Sequence, residues 1–176
     1  MPKKTSKSKQ ILPTDVALSV RQPYAQLLVG ARQSNPLIAE KWIENRSWEP
    51  SLPSGQSHWI LIHASSTKGD PFDYEEERVD SDVPHGAIIG YAKLIGWKRL
   101  PKCKTTKRDD KGFKEHCESL RDIVELHSGI RPDHGIIYAE NAPGIVHWVF
   151  VEPTLLDKPI PCAGKLRLWA LPETLK

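Results

Sequence analysis

The sequence has no apolar run approaching the roughly 20 residues that a membrane-spanning helix needs, and no signal-peptide core follows its first lysines. Cysteine is scarce: Cys103, Cys117 and Cys162 make an odd count with no CxxC spacing, so a disulfide framework is not expected. These absences predict a cytoplasmic protein with reduced thiols that has no membrane partner.

The motifs of several enzyme classes are also missing. There is no Gly-rich phosphate loop, GxSxG or HExxH, which counts against nucleotide hydrolysis, serine-type hydrolysis and zinc proteolysis. One group of potential zinc ligands shares a region of the chain, but its spacing matches no standard zinc finger. We therefore expect no metal and no cofactor. The group consists of Cys103, His116, Cys117, His127 and His134.

Positive charge is not spread over the whole chain. The formal net charge is +3, but four lysines lie within the first ten residues, so the remainder carries −1. We interpret residues 1–13 as a disordered basic leader, with a nucleic-acid-binding arm as the alternative, and residues 14–176 as one domain. Lys93–Lys114 has nine cations against two acids, and Asp70–Asp82 has seven acids against one arginine. Both blocks fit solvated loops, and the basic block is also a candidate phosphate-facing patch.

Short segments rich in Ile, Val and aromatic residues, each bounded by Gly, Pro, Asn or Ser, predict six or seven strands. Two helices are predicted. The first has Pro23 in its first turn and ends near Gly30, and the second covers Phe113–Gly129. Residues 31–40, between them, are predicted as a loop. Because strands outnumber helices and do not alternate with them, we expect an α+β fold, a mixed β-barrel with peripheral helices. The predicted strands are Val16–Val20, His58–Ser65, Gly86–Trp97, Gly135–Glu140, Ile145–Pro153 and Lys165–Leu171.

The segment KWIENRSWEP, Lys41–Pro50, has an unusual mixture of charged and aromatic residues. If it is a strand, its side chains alternate between two faces, which places Trp42, Glu44, Arg46 and Trp48 together and Asn45 on the other face. Such a face fits either an exposed ion pair on a barrel rim or a polar cleft with tryptophan walls that binds a planar ligand.

Several motifs in order resemble the ASCH (activating-signal-cointegrator homology) family of the PUA-like superfamily. LSVRQPYA (Leu18–Ala25) is followed by Gly30, by a lysine and ENRSW (Lys41–Trp48), and by IHA (Ile62–Ala64). GAIIGYAKLIG and PIPCAGKLRLWALP resemble the second half of the family, so the resemblance covers about residues 16–172.

The resemblance implies a small PUA-like β-barrel whose cleft is lined by the Arg-Gln-Pro turn and the Lys-x-x-Glu-x-Arg segment. It implies recognition of RNA, DNA, or a nucleoside or nucleotide. Some similar proteins are amidohydrolases that act on N4-acylated cytidine with a lysine, a threonine and a glutamate. In this chain Glu44 replaces the threonine and Lys93 aligns with the glutamate, which favours binding over catalysis. If the chain is an enzyme, either such a hydrolase or a ribonuclease, Lys41 and Glu44 are the catalytic candidates.

The candidate ligand-binding residues follow from these segments. Free N–H groups at the start of the first helix favour an anion, and the arginine just before it suits a phosphate. Trp48 and Trp148 are candidate base-stacking residues, and His63 is either a ligand contact or a hydrogen-bonded core residue. A protein-interaction surface at Asp70–Asp82 is a further alternative. The full set is Arg21, Gln22, Pro23, Tyr24, Lys41, Glu44, Asn45, Arg46, Trp48, His63 and Trp148.

Overall fold

The structure, a computed structural model, describes residues 12–32, 35–66, 84–101, 111–129, 131–132, 139 and 141–175, without the side chains of 31–32 and 35–38. The leader and the acidic block lie almost wholly outside these ranges, as does most of the predicted strand Gly135–Glu140. Among the described helices, none is long and apolar enough to cross a membrane.

Eight strands and two α-helices occur in the described ranges. A six-stranded mixed sheet has the order β4-β7-β6-β5-β1-β8, and β2 and β3 form a separate hairpin. Within the six-stranded sheet β1 and β5 are parallel, and the other neighbours are antiparallel. The elements are β1 (Val16–Val20), α1 (Tyr24–Val29), β2 (Ala31–Arg32), β3 (Asn35–Ala39), β4 (Ile43–Arg46), β5 (His58–Ala64), β6 (Ala87–Arg99), α2 (Lys111–Ser128), β7 (Val146–Pro161), β8 (Leu168–Ala170) and a 3₁₀ turn, Glu173–Leu175.

The main core fills the concave side of this curled sheet. Alternate residues of each strand point into it, as Ile60 and Ile62 of β5 do, while Leu61 points to the opposite side. Helix α1 packs onto the same side through Leu28 and Val29. Gly90 permits this approach, because a Cβ atom there would lie 2.7 Å from Val29 Cγ1 and 2.4 Å from the carbonyl oxygen of Thr154.

Two further apolar clusters cover the convex side of the sheet. Helix α2 buries Phe113, Leu120 and Val124 against Ile43 and Val149. Its apolar residues recur at helical spacing, so one face of the helix is apolar. The third cluster packs the C-terminal segment, including Trp169, over Ala17 and Leu61, among others. The expected α+β class and barrel-like mixed sheet are therefore confirmed.

Several element boundaries differ from the sequence prediction. Residues 31–40 contain the β2–β3 hairpin rather than a loop throughout. Strand β7 continues to Pro161, well past the predicted end, whereas β8 is shorter than predicted. The pairing of β7 with β6 contains three register shifts along its whole length. Pairing across such bulges does not depend on strict alternation of apolar residues.

Two buried histidines join α2 to β7. His116 Nε2 and His147 Nδ1 are 2.8 Å apart, so one nitrogen donates and the other accepts. Burial lowers the pKa of His116 to about 4, and the positive charge of Lys98 lowers it in the same direction. Protonation of both rings would place two donors against each other and remove this hydrogen bond.

Lowering the pH from 7 to 5 should decrease the free energy of unfolding by about 2 kcal/mol through His116. The pKa of this group is lower in the folded state than in the unfolded chain, so the unfolded chain binds the proton first. This contribution is intact above the unfolded value of 6.5 and is lost as the pH falls toward 4. Burial also lowers the pKa of His63, which acts in the same direction. Urea unfolding monitored by tryptophan fluorescence measures the effect.

The variant His116→Gln should flatten this pH dependence, and His127→Gln, at an exposed position of the same helix, should leave it unchanged. An unfolding free energy that is equal at pH 7 and pH 5 in the unmodified protein would contradict this account of the histidine pair.

Candidate functional site

The end of α1 fixes the chain that leads into β4. The backbone N–H of Lys41 donates to the carbonyl oxygen of Leu27 at 3.0 Å, and that of Glu40 donates to Gly30 at 2.9 Å. These bonds satisfy carbonyl groups at the helix end that have no partner within the helix. They also hold Lys41 beside Tyr24, with Nζ 5.5 Å from the centroid of the Tyr24 ring.

Three charged side chains, two of them buried and one partly exposed, form a continuous network on β4 and the residues just before it. Lys41 Nζ lies 2.5 Å from Glu44 Oε2 and donates to the carbonyl oxygen of Ile43 at the same distance. The other carboxylate oxygen, Oε1, lies 3.0 Å from Arg46 Nη2. Lys41 is 2% exposed and Glu44 7%, so these charges are largely removed from water.

Glu44 keeps its negative charge despite this burial. Burial by itself would raise its pKa, but the positive charges of Lys41 and Arg46, together with the hydrogen bond from Lys41, outweigh that effect and lower the pKa below its ordinary value. At neutral pH Glu44 is therefore a carboxylate that accepts hydrogen bonds. With one anion and two cations, the network has a net charge of +1.

Arg46 connects the two ends of the curled sheet. Its Nη2 donates to the carbonyl oxygen of Ser19 on β1 at 2.9 Å, although β4 and β1 are separated by three strands in the sheet order. Its Nε is buried and has no hydrogen-bond partner within the described residues. The Arg46 side chain as a whole is 21% exposed, so it is not sealed from solvent. This side chain has both a structural role and a donor without an acceptor.

Trp48 lies next to this network and is only partly buried. It packs edge-to-face with Trp148, with ring centroids 4.7 Å apart, and its carbonyl oxygen accepts a hydrogen bond from Trp148 Nε1 at 3.2 Å. Trp148 is fully buried, so the base-stacking role expected for it is wrong, because no face of its ring is available. Trp48 keeps part of its surface in solvent and remains a candidate for stacking.

The residues of the Arg-Gln-Pro turn have different placements. Arg21 is exposed, two positions after Ser19. Gln22 is fully buried: its Nε2 donates to the carbonyl oxygen of Pro84, and its Oε1 accepts from the N–H of Gln26. Gln22 and the buried Pro23 therefore shape the turn and are not ligand contacts, contrary to the expectation.

The first helix does not provide the expected anion site. It has only six residues, Tyr24–Val29. The N–H of Ala25 donates to the carbonyl oxygen of Arg21, and the N–H of Gln26 donates to the Gln22 side chain, so these amides already have acceptors.

Three other residues lie away from the network. His63 is 1% exposed on the convex side, where its Nε2 contacts the carbonyl oxygen of Cys162 at 3.1 Å, so it is a core residue and not a ligand contact. Trp42 does not share a face with Glu44 as expected. It packs in the α2 cluster because the strand begins only at Ile43. Asn45 is half-buried and pairs in register with His147, on the face opposite Glu44.

Three cations of the basic block that the structure describes are paired with acids and are less available than the sequence indicated. Within the basic block, Lys93 lies 2.9 Å from Glu152, Arg99 lies 3.0 Å from Glu49 and Lys111 lies 3.7 Å from Glu115. Lys93, with Nζ 5.1 Å from the Trp59 ring centroid, is on the convex side and thus apart from Glu44. Residues 102–110 and the acidic block lie outside the described residues.

The described residues contain no group of three side chains suited to bind a metal ion. Of the five potential zinc ligands in the sequence, Cys103 and His134 lie outside the described residues, and His116 is bonded to His147 instead.

Known proteins give the following similarities. No protein-family profile matches the chain, and no curated protein matches it by sequence. Among solved structures, ASCH from Zymomonas mobilis is similar, with 14% identity over 91% of this chain and 89% of that chain and a TM-score of 0.46. Two single-residue variants of the same protein are also similar, each with 14% identity and a TM-score of 0.44. The first match covers 92% of this chain and 93% of that chain. The second covers 91% of each. All three structures carry the name of the family that the sequence motifs resemble.

Removing the carboxylate of the network should be more destabilising than removing the lysine. Glu44→Gln leaves two cations near each other with reduced solvation, and we expect a loss of about 3–5 kcal/mol of unfolding free energy. Lys41→Met leaves Glu44 paired with Arg46, so its loss should be smaller. Chemical denaturation of both variants measures the difference.

The exposed pair Arg99–Glu49 provides the control, because Arg99→Gln should cost no more than about 1 kcal/mol. Equal losses for Glu44→Gln and Arg99→Gln would show that the buried network is not energetically distinct from a surface ion pair.

Proposed function

We propose that this chain binds nucleic acid or a nucleotide at the surface formed by the Lys41–Glu44–Arg46 network and Trp48. The observation that supports this most directly is the placement of Arg46, whose guanidinium group is held by Glu44 and by the carbonyl oxygen of Ser19 while 21% of its side chain stays exposed to solvent. A guanidinium group that is fixed in this way suits an oxygen of a phosphate or of a base.

The chemistry of the surrounding side chains supports the same ligand class. The network has a net positive charge, and Arg21 on the adjoining turn adds an exposed cation. Trp48, two residues after Arg46, is a partly exposed aromatic ring, and Arg167 Cζ lies over it at 5.7 Å from the ring centroid. Cations that contact phosphates, together with aromatic rings on which bases stack, are the usual means of binding single-stranded nucleic acid. The ASCH resemblance of the sequence implies the same class.

The hydrolase alternative finds less support in the geometry. Lys41 and Glu44 are both buried and are hydrogen-bonded to each other. Each oxygen of the Glu44 carboxylate already lies beside a cation, which makes it a weak base toward water. We therefore propose that these residues position Arg46 and do not perform hydrolysis. The protein-interaction alternative stays a prediction, because its acidic block lies outside the described residues.

Binding to single-stranded RNA should be strongly salt-dependent and should require Arg46. We expect Arg46→Ala to weaken binding by about 1–3 kcal/mol, because it removes a donor and a positive charge from a partly dry site. Fluorescence anisotropy of a labelled RNA, titrated at several salt concentrations, gives both quantities.

Arg99→Ala is the matched control, since it removes the same charge from an exposed position whose guanidinium is paired with Glu49. Binding is compared at temperatures at which circular dichroism shows both variants folded. If both variants weaken RNA binding equally, the loss is due to net charge alone and not to the position of Arg46. A complete lack of RNA and DNA binding at low ionic strength would refute the proposed function.

A further inference from the structure

The segment between β7 and β8, Cys162–Arg167, is fixed at its base and projects at its tip. The N–H of Cys162 donates to the carbonyl oxygen of Gly86 at 3.0 Å. Gly164 fits closely against the sheet, because a Cβ atom there would lie 2.4 Å from His63 Cε1 and 2.7 Å from Ser19 Oγ. The next three residues, Lys165–Arg167, are exposed. A rigid base thus presents two cations at the surface.

Arg167 extends from this segment to the candidate site. Its Cζ lies over the ring of Trp48, 5.7 Å from the centroid. Trp48 in turn is held by Trp148, both through ring packing and through the hydrogen bond to its carbonyl oxygen. A guanidinium group that contacts an indole through its face keeps its N–H donors, which point outward in its own plane, available for other acceptors. No ion pair involves Arg167 in the described part of the chain.

The backbone of Arg167 is in a conformation that an arginine adopts at a cost. Its φ is +62°, in the left-handed region that disfavours residues with a Cβ atom and that glycine occupies readily. The contact with Trp48 is exposed and weak, so it gives the fold little reason to keep arginine rather than glycine here. Strained residues of this kind are concentrated at functional sites.

We propose that Arg167, supported by Trp48, binds a phosphate of the ligand and thereby restricts the site to phosphate-bearing nucleotides and nucleic acid strands. This inference rests on the proposed function. The planar guanidinium forms paired hydrogen bonds to a phosphate through its free N–H groups. Arg46, the last residue of β4, precedes Trp48 by two positions and is left to contact the base or the sugar. A free nucleoside lacks the group that Arg167 recognises and should bind much more weakly.

The variant Arg167→Gly distinguishes phosphate binding from a structural role. Glycine removes the side chain and also removes the conformational strain of the left-handed backbone at this position. We expect an equal or higher melting temperature together with roughly tenfold or greater weakening of binding to a labelled single-stranded RNA. The slope of log K against log salt should decrease in magnitude by about 0.7, the value for one lost phosphate contact. Arg167→Lys should restore the slope but only part of the affinity.

Lys165→Ala is the matched control, because Lys165 is also exposed, lies two residues before Arg167 and carries the same charge. It should weaken RNA binding much less than Arg167→Gly does. Binding of cytidine and of cytidine monophosphate to the unmodified protein tests the restriction to phosphate-bearing ligands.

Three outcomes would overturn the inference while leaving the proposed function intact: RNA binding unchanged in Arg167→Gly, equal weakening by Lys165→Ala, or cytidine bound as tightly as its monophosphate. A lower melting temperature of Arg167→Gly would also overturn it, because the arginine would then serve the fold. Failure of the unmodified protein to bind any of the three probes would instead refute the proposed function itself.

Discussion

The hydrogen bond from Arg46 to the carbonyl oxygen of Ser19 is the constraint on which the geometry of the site depends. It joins β4, at one edge of the six-stranded sheet, to β1 near the other, and so fixes how far the sheet curls. Arg46 is available for this role because Glu44, paired with both Lys41 and Arg46, holds the guanidinium in place. The curvature of the sheet, the burial of the charges and the position of Trp48 are therefore linked.

A buried ionic network is a costly way to close a sheet. Removing charged groups from water costs several kcal/mol for each ion, and well-packed apolar residues often stabilise a fold equally well. The net charge of +1 and the partial exposure of Arg46 have no evident value for stability. They are useful if an anionic, planar ligand binds there. The same reasoning applies to Arg167, where the backbone conformation favours glycine but the side chain lies over Trp48.

The sequence predicted the elements better than it predicted the surroundings of single residues. Alternation correctly placed Glu44 and Arg46 on one face of a strand, because that rule depends only on local backbone geometry. It failed for Trp42, which precedes the strand, and it could not show that Trp148 is enclosed by residues distant in the chain. Arg167 was missed because a left-handed backbone in a non-glycine residue has no sequence signal.

The most direct test of the central claim is an NMR titration that follows the Arg46 Nε–H and the Trp48 indole N–H while single-stranded RNA is added. If the network and Trp48 form the binding surface, both resonances should shift together and saturate at the same RNA concentration. Saturable RNA binding that leaves both resonances unchanged would place the ligand elsewhere and contradict the account.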